Sequence, residues 1–185
     1  MSGKFNIINN KTVWITRTAA FVALLVAVQF FTAPAGQLVT GTLVNFILIA
    51  AAMIYGAPAG LAAALMSPFF AKFIGIGPLW PIVPFIMAGN AALVLIWRGV
   101  GRLKGLNVRA ARIAAAAAAA LCKFLILYVG VVRIAAPYFL ALPERQAAAV
   151  TAMFSYPQLI TALAGGALAA VLLPAISKAR AMRNL

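Results

Sequence analysis

Six times along this chain a run of about twenty residues passes with hardly a charge in it, and only short connectors separate the runs. That pattern leaves few ways to fold. At ~1.5 Å per helical residue, such a run matches the roughly 30 Å hydrocarbon core of a bilayer. Inside lipid, each backbone N–H and C=O must find its partner within the segment, which selects helices. The chain is 66% hydrophobic over 185 residues, with a mean hydropathy of +1.09, more apolar surface than a soluble core of this size can absorb. The expectation is an all-α polytopic membrane protein, one domain over 1–185, with spans at about 13–33, 39–55, 58–76, 82–100, 110–132 and 155–176.

The connectors refine that outline. Residues 1–12 are polar and read as a short tail; together with the first run and Ala33-Pro34-Ala35 they loosely fit a cleavable leader, but the run has the length of a full span and is expected to be retained. Between the fourth and fifth runs lies a basic, glycine-containing connector with Arg98, Arg102, Lys104, Arg109 and Arg112. The fifth run opens with seven alanines, Ala114–Ala120, a sequence suited to close helix packing. Residues 143–153 start with Pro143 and Glu144, a helix-start pattern, and read as a short interfacial helix before the sixth span. The alternative is one helix over 146–176 kinked at Pro157. With both termini in the cytoplasm, eleven of the fifteen Lys and Arg fall on the inner side, leaving Lys72, Lys123, Arg133 and Arg145.

What the chain lacks excludes whole classes of function. It has no His, and Glu144 is its one acidic residue, so neither a carboxylate pair, a His base nor a His/Asp/Glu metal site can be assembled. No phosphate-cradling GxxxxGK[ST] motif is present. An intramembrane Asp, Glu or His proton relay is likewise ruled out. The net charge of +14 does not point to nucleic acid, because the basic residues punctuate apolar runs instead of forming a patch. The lone Cys122 forms no internal disulfide. No catalytic role, metal or cofactor is expected, and uphill movement of a solute would draw its energy from another subunit.

The stretch SPFFAKFIGIGPLWPIVPFIMAGN, residues 67–90, breaks the apolar pattern most sharply. Pro78, Pro81 and Pro84 stop the helix, Gly75 and Gly77 loosen it, and Phe69, Phe70, Phe73, Trp80 and Phe85 bring ring surfaces. A solute-binding corner and an aromatic interface belt both fit. Counting helical rise places Gln29, Asn45, Lys72 and Asn90 in the outer half of their spans. Lys123 falls near a midplane, and Tyr156 and Gln158 at the outer start of the sixth span. Polar groups at shared depth should face one another, water or a ligand, so Gln29, Asn45, Lys72, Trp80, Asn90, Lys123, Tyr156 and Gln158 are candidate substrate-binding residues. The Asn side chains alternatively join helices, and Lys72 alternatively snorkels to the interface. Lys123 lies too deep for that and has no intramembrane acid beside it. It is either neutral through desolvation or awaits an anionic partner, and the second reading favours a ligand bearing a carboxylate, phosphate or electron-rich carbonyl. The connector Pro34–Thr40 is expected to act as a lid over such a pocket.

Ala19, Ala23 and Ala27 recur every fourth residue of the first span, either packing within the bundle or presenting a docking face to a partner helix. With TRTAAFVALLVAV, SPFFAKFIGIGP…VPFIMAGN and PQLITALAGGALAAVLLP, the chain resembles a substrate-binding S component of an energy-coupling factor (ECF) transporter over roughly 18–174. The resemblance implies a vitamin or precursor held in an outward-facing pocket in the cell membrane. It also implies docking through the first-helix alanines on a membrane coupling subunit driven by two ATPase subunits, which use the ATP. A non-transporting membrane scaffold and a passive facilitator are the competing classes.

Overall fold

The computed structural model of the protein describes residues 2–77, 79–101, 105 and 107–183, with side chains from residue 11 onward apart from 177 and 179–183. Pro78 of the proline corner and Arg102 and Lys104 of the basic connector lie outside these residues, as do the side chains of Lys4, Arg180 and Arg183. The chain is an all-α polytopic membrane protein, with no strand among the described residues. Its helices are α1 (Ser2–Thr32), α2 (Gln37–Tyr55), α3 (Ala57–Phe73), α4 (Val83–Val100), α5 (Val108–Tyr138), α6 (Glu144–Met153) and α7 (Tyr156–Arg183). Among the described residues five stretches are long and apolar enough to cross a membrane; α3, at 17 residues, sits at the short limit of a span. Leu24, Leu95, Ile113, Leu125 and Val171 stand exposed on the outside of the bundle, as a lipid-facing surface requires.

Several boundaries differ from the sequence expectation. The polar tail is not separate: α1 begins at Ser2, and no Gly or Pro interrupts it between Lys4 and Ala33. The third span stops at Phe73 instead of reaching 76, because Gly75 and Gly77 take positive φ of 85° and 89°, where a side chain would be strained. The fifth runs past 132 to Tyr138, and its segment Tyr128–Ala135 is π-helical, with the Ala136 N–H bonded to the Val131 carbonyl. The lid connector shrinks to a 3₁₀ turn at Ala33–Ala35 and Gly36, since α2 already starts at Gln37. Thr40 fastens that turn, donating to the Thr32 carbonyl at 2.8 Å. The break before the last span is present, with α6 and α7 parting at Phe154–Ser155.

α2 packs along α3 and α7, and α5 along α4 and α7. Leu25, Leu48, Ile49, Leu93 and Val94 are fully buried among them. Within the alanine run only Ala115, Ala119 and Ala120 are buried while Ala117 is exposed, a helical period that turns one small-residue face inward. α2 and α7 cross closely. A Cβ on Gly165 would stand 2.6 Å from the Asn45 Cβ and 2.8 Å from the Thr42 carbonyl oxygen. Glycine there lets α7 press directly on the turn of α2 that carries Asn45. A second apolar cluster of Ile82, Leu127, Val131 and Phe154 closes the end of the bundle where α1 turns into α2 and α3 into α4.

Candidate functional site

At that end the helices part around a cavity of about 520 Å³, within the size range of small-molecule sites. Its mouth is built from connectors: Gly36, Ile76 and Leu79 from the turns, and Met153 and Phe154 from the end of α6. Its floor is polar. Asn90 lies one turn deeper than Ile86 on α4, and Lys123 one turn deeper than Leu127 on α5.

The floor is held by a chain of hydrogen bonds across four helices. Lys123 Nζ donates to Asn45 Oδ1 at 2.5 Å and to Asn90 Oδ1 at 2.7 Å. Asn45 Nδ2 donates to Thr161 Oγ1 at 3.4 Å, and Thr161 passes its own proton to the Gln158 carbonyl at 3.2 Å. Lys123, Asn45, Asn90, Gln158 and Thr161 are each at most 5% exposed. In a water-poor interior an unpaired polar group is expensive, so the chain fixes four side chains at once, those of Lys123, Asn45, Asn90 and Thr161.

Of the candidate binding residues, Gln29, Asn90, Lys123 and Gln158 line the cavity, and Asn45 stands one bond behind it, holding Lys123. Lys72, Trp80 and Tyr156 do not line it. Depth along a helix leaves the facing direction undetermined. Tyr156 precedes Gln158 by two residues, about 200° around the helix; with Gln158 inside, Tyr156 points away and is 75% exposed. Trp80 packs edge-on against Phe69 at 5.9 Å, on an exposed aromatic ridge that includes Phe70 and Phe73. Phe154, at the break between α6 and α7, is an aromatic that reaches the cavity; Tyr138 is exposed, and Tyr128 stacks on Phe124 and carries Arg133. Thr161 was not singled out from the sequence, although its position three residues after Gln158 puts both on one helix face.

A second, apolar concavity of about 720 Å³ runs along α1 beside α3. Ala19, Ala23 and Ala27 line it with Trp14 and Phe30 of α1 and Phe70 of α3. Ala19 and Ala23 are exposed and Ala27 half-buried, so this small-residue face is not consumed by packing within the bundle. Comparison of the chain with family models, with curated proteins and with solved structures gives no match in any of the three.

Proposed function

We propose that the chain is the solute-capturing subunit of a membrane importer of the S-component kind, set in the cell membrane with both termini in the cytoplasm. A small vitamin-like molecule enters the cavity at the outer end. The α1 face bearing Ala19, Ala23 and Ala27 docks on a membrane coupling subunit, and two separate ATPase subunits supply the energy. The single observation that carries this reading is the cavity floor. Lys123 and Asn90 sit at the bottom of an otherwise largely apolar space, and below them the bundle is filled by Leu48, Ile49, Leu93 and Val94. A pocket of that shape holds a solute and does not conduct it, which speaks against a passive facilitator. A scaffold has no use for an ammonium exposed to an internal cavity.

The test is purification of the whole chain from cells grown in rich medium, followed by mass spectrometry of small molecules released on denaturation. A bound compound near one per chain is expected. Its absence, under conditions where the protein stays folded, would favour the scaffold.

A further inference from the structure

The polar atoms of the cavity form a directional set. Lys123 has three N–H donors and no acceptor. Two are taken by the Asn45 and Asn90 oxygens, which leaves one for the space that Lys123 lines. Asn90 is 2% exposed and its oxygen is used by Lys123, so its amide N–H groups remain; among the described residues they reach no protein acceptor. The floor therefore offers donors. Higher on the cavity lining the opposite holds. Gln29 Nε2 donates to the Leu25 carbonyl at 3.1 Å, and Gln158 Nε2 to the Met153 carbonyl at 3.2 Å. A carbonyl only accepts, so each amide turns its nitrogen to the backbone with one of its two N–H groups used, and its oxygen is left as an acceptor.

Charge narrows the choice further. Among the described residues Lys123 is the one side chain lining the cavity that can carry a charge, and when it is protonated its two bonded partners are neutral amide oxygens that solvate the ammonium without neutralising it. The single carboxylate of the chain, Glu144, lies on the exposed first turn of α6 and makes no bond to it. One buried cation balances one negative charge. A phosphate monoester, at about −1.5 to −2 near neutral pH, would carry uncompensated charge into an apolar site. A carboxylate brings one charge and two oxygens, which match one Lys N–H and one Asn N–H.

Resting on the solute-binding reading above, we propose that the cavity selects a monocarboxylate. Its carboxylate lies between Lys123 Nζ and Asn90 Nδ2, and its body carries an N–H or O–H donor for the free oxygens of Gln29 and Gln158. The rest of that body is apolar and lies against Leu127, Ile86, Met153 and Phe154.

The experiment uses the unaltered full chain in detergent. Compounds released on denaturation are identified, and each acid is returned to the emptied protein beside its own primary amide. 4-Hydroxybenzoate, 4-aminobenzoate and indole-3-acetate, each of which carries an O–H or N–H donor on its body, serve beside their primary amides as defined probes in the same titration. The acids are expected to bind, and removal of the charge is expected to weaken binding by about thirtyfold or more. Lys123→Met should reproduce that loss. Because this change also frees Asn45 and Asn90 and can cost the fold, the acid–amide comparison decides without it. A recovered compound that is neutral or cationic, or amides that bind as tightly as their acids, would overturn the carboxylate assignment and leave solute binding standing. If nothing is released and no probe binds at millimolar concentration, solute binding falls together with it.

Discussion

Asn90 Oδ1 accepts a 2.7 Å hydrogen bond from Lys123 Nζ while the nitrogen of the same amide is left without a protein partner among the described residues. One side chain thus does two jobs, satisfying the cation and presenting a donor. The two can be separated by changing a single atom type.

Asn90→Asp puts a carboxylate where the amide oxygen now meets Lys123. The buried ammonium gains an internal counter-charge, and the donor is lost. Melting in detergent should rise, by about 2–4 °C for each kcal/mol gained, while binding of the co-purified compound falls by about thirtyfold or more. A variant that melts higher and still binds fully would show that the ligand does not address this pair.

Ala23 lies exposed in the groove along α1. A bulky Ala23→Trp therefore lies in the open groove beside Met66 and Phe70 without entering the core, and folding and solute binding should stay within about 0.5 kcal/mol of the parent. Uptake into cells should be abolished. Loss of binding and folding together would place Ala23 in internal packing and remove it from docking.

The two helical glycines Gly165 and Gly99 make a matched pair. A methyl at Gly165 runs into the Asn45 Cβ and the Thr42 carbonyl, whereas a methyl at Gly99 meets nothing within 4 Å. Gly165→Ala should cost about 1–3 kcal/mol of stability and loosen solute binding by displacing Asn45. Gly99→Ala should be neutral or stabilising by up to about 1 kcal/mol through helix propensity. Thermal unfolding of the pair, read beside binding, checks both.

Hydrogen exchange should locate the wall that yields. None of Glu144–Met153 is fully buried, yet Val150 and Met153 line the cavity. The connector around Pro34 is short and pinned by the Thr40–Thr32 bond. Solute should therefore slow exchange in α6 more than in 34–40. The reverse order would return the lid to the first connector.

The sequence carried the spans because lipid imposes one rule on every residue of a segment, and the six apolar runs obey it. It placed Asn45 and Asn90 at a similar level of their helices, since level is a matter of counting, and the structure joins both to Lys123. The azimuth was another matter. Trp80 and Tyr156 lie near the same end of the bundle as the cavity mouth but face outward, as the packing of Trp80 on Phe69 and the burial of Gln158 show. The run to Tyr138 was hidden because Arg133 looks like the end of an apolar stretch. In the structure the Arg133 guanidinium lies over the Tyr128 ring at 5.4 Å and donates to its hydroxyl at 3.2 Å, so the helix carries the charge along its own side. Bonds between residues 78 and 116 positions apart, which tie Asn45 to Lys123 and to Thr161, leave no local trace in a sequence.

A cavity that ends on Lys123, with packed Leu48, Ile49, Leu93 and Val94 beneath it, has a kinetic consequence. Arrival and departure share one route, so by microscopic reversibility they cross one and the same barrier. Tightening the grip lengthens residence but cannot favour one side of the membrane over the other. Left to itself the chain comes to equilibrium with whichever compartment its mouth faces. If the chain serves import as proposed, net flux requires work from outside it, enough to open the packing beneath Lys123 or to turn the mouth to the other side.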